Sequence, residues 1–344
     1  MHRLEYPVGP DRSSHVAEDG SVEVGDLRVP FSVFGSPEAR ETLLRGLSPA
    51  PPGIANDVAA LRAHYAAFND RLRDRMLDRF DVEIVQTEIG GVPVHRVTPI
   101  TPRDDSGRVL MNLHGGAFMW GSGSGALVEA IPVAATSGLP VIAVDYRLAP
   151  EHKFPAASDD AQAVYEALLA AAPARSIGMY GCSAGAILTA QCMAQFLERG
   201  LPLPGSIAML CGAGLFPLGD SAFTASPLSG ERLDDDATGA DMPMNVFRHY
   251  LNDLALDDPR VTPGVDLKIL SQFPPSLLIT GTRDFAASSV TTMHRRLVAQ
   301  RVHAELFLFD GLWHAFHIFP DLPESMEVYG LLASFFKRTL TFRT

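Results

Sequence analysis

Apolar residues recur at spacings of three and four through Ile54, Val58, Leu61, Tyr65, Phe68, Leu72 and Met76. Such spacing gathers them on one face of a helix. The helix is predicted from Asn56, as N-cap, to about Phe80. Its opposite face carries Arg62, Asp70, Arg73 and Asp74 and reads as solvated. A shorter helix should precede it, with Ser36 as cap, Pro37 at the first helical position and Glu38 in the first turn, ending near Gly46. Pro49 to Gly53 breaks the chain between the two. Residues 1–30 are polar and weakly patterned, and read as an arm.

Beyond this point the period changes. Val82 to Ile89 and Val92 to Val97 flank Gly90-Gly91 and predict an antiparallel hairpin. Short β-branched runs then alternate with helical ones. Strands are expected at 108–113, 140–145, 176–181, 205–210, 276–280 and 304–309, and helices at about 125–137, 156–172, 184–199, 286–301 and 323–341. Alternation of this kind implies a mostly parallel sheet, eight-stranded with the hairpin, covered by helices on both faces. One interval, about 212–274, interrupts it with prolines, Met242-Pro243-Met244, Phe247, Tyr250 and the acid run Asp234-Asp235-Asp236. An insertion at the carboxyl edge of such a sheet is where a lid or cap sits.

Composition narrows the classes. A chain of 344 residues that is 47% hydrophobic and 20% charged is globular, and suits a large α/β domain with an accessory piece. The net charge of -12, with no basic run, argues against nucleic-acid binding. Three cysteines make no disulfide framework and suggest a reducing compartment. The first residues lack the apolar core of a signal peptide, and no stretch approaches the roughly 18 apolar residues of a membrane span. A cytoplasmic protein without membrane insertion is expected.

The chemistry begins at Gly181-Cys182-Ser183-Ala184-Gly185, which follows the strand-like Ile177-Gly178-Met179-Tyr180 and opens an apolar helix. This is G-x-S-x-G in its required context of strand, turn and helix. The turn is tight, so the residues around the serine must be glycine or small. Ser183 is lifted from the sheet edge as a nucleophile, and the N–H of Ala184 points where a negative oxygen would form. Gly219-Asp220-Ser221-Ala222 resembles half of this motif, but Phe223 replaces the closing glycine, and the segment reads as loop. The strand Val109 to Leu113 ends in His114-Gly115-Gly116-Ala117-Phe118. Its two glycines let the backbone approach a ligand and turn N–H groups inward.

These segments, with Asp145-Tyr146-Arg147-Leu148-Ala149-Pro150-Glu151 and Phe154-Pro155-Ala156-Ala157, resemble in order and spacing the hormone-sensitive-lipase-like esterases of the α/β-hydrolase superfamily, bacterial family IV. The resemblance covers roughly residues 82–342. It implies an α/β-hydrolase fold with a helical cap, whose position the N-terminal helices match. With the arm and insertion read above, the expected organisation is an arm and cap helices in 1–80 and a catalytic domain in 81–344 with a cap insertion at about 212–274. It also implies that Gly115, Gly116 and Ala184 supply the oxyanion N–H groups, and that Asp145 to Glu151 buttresses the oxyanion loop. Ala117 stands where the family usually has a third glycine, and Cys182 where it commonly has Asp or Thr. By family habit, a homodimer built on an edge strand or on the last helices is a candidate assembly.

Pattern and resemblance agree on the acid and the base. Leu277 to Gly281 is a strand followed by Thr282-Arg283-Asp284, and Ala304 to Phe309 is followed by Asp310-Gly311-Leu312-Trp313-His314. Ser183, Asp284, His314 is the α/β-hydrolase order. His314 would exchange the proton of Ser183, and Asp284 would hold its tautomer. Asp310 and His317 are the rivals for acid and base. Phe118, Met119, Trp120, Phe223, Met242, Met244, Phe247 and Tyr250 are candidates for the substrate pocket. The reading is a serine carboxylesterase cleaving short to medium acyl esters, with no cofactor and no metal. A lactone or amide hydrolase or an acyltransferase would use the same triad, and a ligand-binding relative without catalysis is the remaining alternative.

Overall fold

The computed structural model describes residues 14–16, 22–24, 29–45, 47, 54, 57–104, 106–229, 245–251 and 254–341. The chain divides into two compact units, Met1–Ser32 and Val33–Thr344. In the first, β1 (Ser14–Val16) pairs antiparallel with β2 (Val22–Val24).

The second unit begins with α1 (Pro37–Arg45) and α2 (Val58–Leu77). Ser36 caps α1, its Oγ accepting from the Ala39 N–H. The cap of α2 is Asp57, whose carboxylate accepts from the Ala60 N–H, while Asn56 lies outside the described residues. The helix stops at Leu77, three residues before the expected end. Leu61, Leu72 and Met76 are buried, as their spacing requires. Arg62 departs from the expected solvated face. Its guanidinium donates to Met119 O at 2.7 Å and to Ala149 O at 2.8 Å, and pairs with Glu151. Charge alone did not reveal this, because a guanidinium reaches carbonyls from a helix flank.

The hairpin β3 (Val82–Ile89) and β4 (Val92–Pro99) turns at Gly90-Gly91, both with positive φ, which only glycine adopts freely in succession. Then follow β5 (Val109–Leu113), α3 (Ser124–Ser137), β6 (Val141–Val144), α4 (Ala156–Ala171), β7 (Ile177–Cys182), α5 (Ala184–Glu198) and β8 (Ser206–Leu210). The insertion carries α6 (Asp220–Ser229), α7 (Asn245–Leu251) and the short α8 (Leu267–Leu270). The segment read as loop at Asp220-Ser221-Ala222 is therefore the first turn of a helix. The chain closes with β9 (Ser276–Arg283), α9 (Ala287–Ala299), β10 (Ala304–Trp313) and α10 (Pro323–Thr339).

Eight strands form one sheet in the order β10-β9-β8-β7-β5-β6-β4-β3, parallel except where β4 meets β6 and β3. The fold is an α/β-hydrolase fold. Side chains alternate between the two covered faces. Tyr180 of β7 reaches α3 through a bond to Glu129 O and packs near Phe336 of α10. Its neighbour Met179 belongs to the cluster that holds Val164 of α4 and Met193 and Phe196 of α5. Burial on both faces explains why the central strands read as continuous apolar runs. The insertion is pinned from below: Phe154 N–H donates to Tyr250 O, and Gln191 Nε2 donates to Val261 O.

Candidate active site

The turn between β7 and α5 is set by close backbone approach. A Cβ at Gly185 would lie 1.8 Å from Leu113 O, and one at Gly181 would lie 2.3 Å from the same oxygen. Neither contact can be relieved without moving β5, so both positions must be glycine. Between them Ser183 sits at φ 56°, ψ −119°, a conformation that costs an L residue about 1–3 kcal/mol. Ser183 N–H donates to Leu210 O at 2.8 Å and Ala186 N–H to Ser183 O at 3.0 Å, so strand β8 and the first turn of α5 hold the strained residue in place.

His314 follows β10 and Asp284 follows β9. These neighbouring parallel strands deliver both side chains to one edge, beside the β7 turn. His314 Nε2 lies 2.9 Å from Ser183 Oγ, and His314 Nδ1 lies 2.7 Å from Asp284 Oδ1. With the proton on Nδ1 donated to Asp284, Nε2 is left to accept the serine proton. Asp284 is fully buried and also accepts from Thr280 Oγ1 at 2.7 Å and from the Ala286 N–H at 2.8 Å. Burial opposes its charge, but the adjacent His314 and these donors prevail, and its pKa is lowered. Phe285 stacks on the His314 ring at 4.1 Å between centroids. The rivals sit elsewhere. Asp310 is exposed and meets Thr282. His317 is buried; burial and the nearby His314 push its pKa down to about 3, so it is neutral.

The loop after β5 is equally constrained. Gly116 has φ 115°, and a Cβ there would lie 2.1 Å from Trp120 O. Ala117 and Phe118 follow with φ of 52° and 62°. The loop is held from behind: Tyr146 O–H donates to His114 O at 2.7 Å, the Ala149 N–H donates to Phe118 O at 2.8 Å, and the Tyr146 ring stacks on His114. One expectation is overturned here. The Gly115 N–H does not face an oxyanion, because it donates to Glu129 Oε1 at 3.0 Å. The N–H groups of Gly116, Ala117 and Ala184 have no partner among the described residues. Ala117 is buried, and an unpaired buried N–H signals a missing acceptor. A glycine count drew attention to Gly115; the positive φ at Ala117 was invisible in the sequence.

A narrow cleft opens on Ser183, walled by Ile187, Leu215, Pro217, Phe247 and Phe285. Of the residues expected in the pocket, Phe247 lines it. Phe118 and Tyr250 have no exposed surface and stack on each other at 3.8 Å, serving as core behind the loop. Met119 is also buried. Trp120 stacks on Tyr65 of α2 at 4.3 Å. Phe223 is 45% exposed on α6, away from the cleft lining. Met242 and Met244 lie outside the described residues. An aromatic residue next to a motif is as readily used for packing as for lining, so the sequence did not separate these roles. Phe285, Leu215 and Pro217 were missed because nothing local marks them.

Beneath the elbow, Cys182, Cys211 and His317 converge, and Cys211 also lies near Asp284 and His314. All three cysteines are free and buried. Burial pushes the Cys182 thiol up to about 11 and that of Cys211 well above its ordinary value, so both are protonated and poor nucleophiles.

Comparison with known proteins agrees with this geometry. Residues 110–318 match the model of a family described as alpha/beta hydrolase fold. The chain belongs to that family. This α/β-hydrolase resembles the solved esterase E25 with a TM-score of 0.82 and 28% identity, over 93% of this chain and 99% of that one. It resembles an esterase of the bacterial hormone-sensitive lipase family with a TM-score of 0.76 and 25% identity, over 89% of this chain and 99% of that one. It is also 28% identical to an ethyl acetate hydrolase of Pseudomonas putida, over 69% of this chain and 74% of the relative. Among the described residues, no helix is long and apolar enough to cross a membrane.

Proposed function

We propose that this carboxylic ester hydrolase of the hormone-sensitive-lipase-like group cleaves small acyl esters through an acyl-enzyme on Ser183. The observation that carries the reading is the continuous chain from Ser183 Oγ to His314 to buried Asp284. Ser183 Oγ attacks the acyl carbon while His314 Nε2 takes its proton. The carbonyl oxygen becomes an oxyanion, accepted by the N–H groups of Gly116, Ala117 and Ala184. Each such donor is worth about 2.7–4 kcal/mol of barrier. His314 returns the proton to the leaving alcohol. Water, deprotonated by the same imidazole, then releases the acid. Activity should therefore rise with pH as the imidazole becomes neutral.

The likeness to an ethyl acetate hydrolase supports a short acyl group, and Phe247 and Phe285 at the cleft would contact it. In this reading α1, α2 and the insertion between β8 and β9 form a cap over the catalytic domain. Arg62 ties that cap to the oxyanion loop through Met119 O and Ala149 O. A panel of p-nitrophenyl esters from acetate to octanoate tests the proposal. Acetate and butyrate should be preferred, and Ser183→Ala should lose about 10⁴-fold or more in kcat. Retained hydrolysis in that variant would falsify the mechanism.

A further inference from the structure

Glu129 lies on α3, behind the site, and does not touch the cleft. It is 7% exposed, yet it carries a carboxyl group. Its Oε1 accepts from the Gly115 N–H at 3.0 Å, and its Oε2 accepts from Asn112 Nδ2 of β5 at 3.1 Å. The Cys182 backbone N–H also favours its ionised form. Burial nevertheless pushes its pKa up to about 7, and no cation contributes to holding it charged. A buried acid without a cation costs stability relative to an apolar side chain of the same size. Fold stability alone therefore gives no reason for Glu129.

What it touches does. The loop, the elbow and the carboxylate meet at Gly115: a Cβ there would lie 3.1 Å from Cys182 O, 3.5 Å from Ser183 Cβ and 3.6 Å from Glu129 Oε1. One side chain thus ties the strand before the loop to the second residue of the loop, at the point where the residue before the nucleophile comes closest. Taking up the Gly115 N–H anchors the His114–Gly115 peptide, whose carbonyl is already held by Tyr146 O–H, so the chain enters the Gly116 and Ala117 peptides from a fixed plane. We infer that Glu129 is a positioning residue for ester cleavage, its carboxylate locking the oxyanion loop against the nucleophile elbow. The inference rests on the acyl-enzyme reading above.

The test uses the full chain with Glu129→Leu and Glu129→Gln, p-nitrophenyl acetate kinetics, and the rate of Ser183 labelling by a fluorophosphonate. Leucine removes both acceptors, so kcat should fall about 100-fold, comparable to loss of one oxyanion donor, with KM within about threefold. Labelling should slow in parallel. Glutamine keeps one acceptor for Gly115, and its Nε2 can meet Asn112 Oδ1, which has no partner among the described residues. Its kcat should fall only about three- to tenfold. A merely structural acid predicts the reverse for leucine: a stable protein with wild-type kcat. That result overturns the inference, as does Glu129→Gln with unchanged kcat should the leucine variant fail to fold. If Ser183→Ala retains hydrolysis, or wild-type Ser183 resists labelling, the acyl-enzyme reading fails instead, which separates the two.

Discussion

The rear of the site, from His114 to Phe118 and from Gly181 to Gly185, is built from backbone in enforced contact, whereas its front wall, from Leu215 to Phe285, is built from side chains. At the rear, a single Cβ on Gly185 or Gly116 would strike a carbonyl oxygen at 1.8 or 2.1 Å. At the front, Phe247 packs edge-on against Phe118 and Phe216 at 6.2 and 5.2 Å, contacts that another residue could fill differently. The difference teaches where change is tolerated. In the proposed function, reactivity is assigned to the rear, where Gly116, Gly181 and Gly185 leave no room for a side chain. Selectivity is assigned to the front, where side chains rather than backbone form the wall.

The two buried acids repeat the contrast. Asp284 is held ionised because the charge of His314 and the hydrogen bonds from His314, Thr280 and the Ala286 N–H offset its burial. Glu129 has donors but no cation, and its pKa rises to about 7. In the proposed mechanism the first orients the base and the second orients the oxyanion loop.

The largest effect that sharpens this comparison belongs to Asp284→Asn. An amide in place of the carboxylate forfeits the charge that stabilises imidazolium and permits the wrong tautomer. We expect kcat to fall by about 10⁴-fold with KM little changed, measured on p-nitrophenyl acetate. A loss below tenfold would move the acid elsewhere. A smaller effect is expected at the front wall. Phe247→Ala should enlarge the cleft and raise the ratio of kcat/KM for octanoate over acetate by about tenfold. It should also lower stability by about 3–5 kcal/mol. An unchanged ratio would place acyl selection on other residues. The smallest is a pH effect on stability. A carboxyl whose folded pKa lies above its unfolded value contributes stability below the unfolded pKa, and that contribution is lost as pH rises through the folded one. For Glu129 this window runs from 4.5 to about 7. Asp284 acts in the opposite sense, its contribution being lost only as pH falls into the acid range. Thermal unfolding should therefore show Glu129→Gln gaining on the wild type as pH rises across that window. Parallel curves would mean that Glu129 is not perturbed.

The elements that could be read from the chain share a property: their cause is local. The seven helices and eight strands expected from periodicity all occur, with ends shifted by up to about four residues. Gly181-Cys182-Ser183-Ala184-Gly185 was legible because a strained turn between strand and helix restricts side chains within five residues. Asp284 and His314 stood out because each lies a few residues past the carboxyl end of an expected strand, in the order that the resemblance to α/β-hydrolases implies. Glu129 was not legible. On α3 it looks like any acid on a helix, and only the packing of that helix under the β5 loop turns it into an acceptor for Gly115. Arg62 was misread for the same reason, since its three partners lie 57–89 residues away.

By itself, then, the sequence determined the order of elements, the mostly parallel sheet and the tight serine turn, because each follows from periodicity or from sterics between near neighbours. The acid and base candidates came from that pattern together with the resemblance to α/β-hydrolases. The tertiary structure alone decided that Gly115 spends its N–H on Glu129 rather than on substrate, that Phe118 and Tyr250 are core while Phe247 and Phe285 form the wall, and that Arg62 grips the oxyanion loop. Those outcomes depend on which surfaces meet when helices fold back onto the sheet, and a hydrogen-bond donor or an aromatic ring carries no mark of its partner until they do.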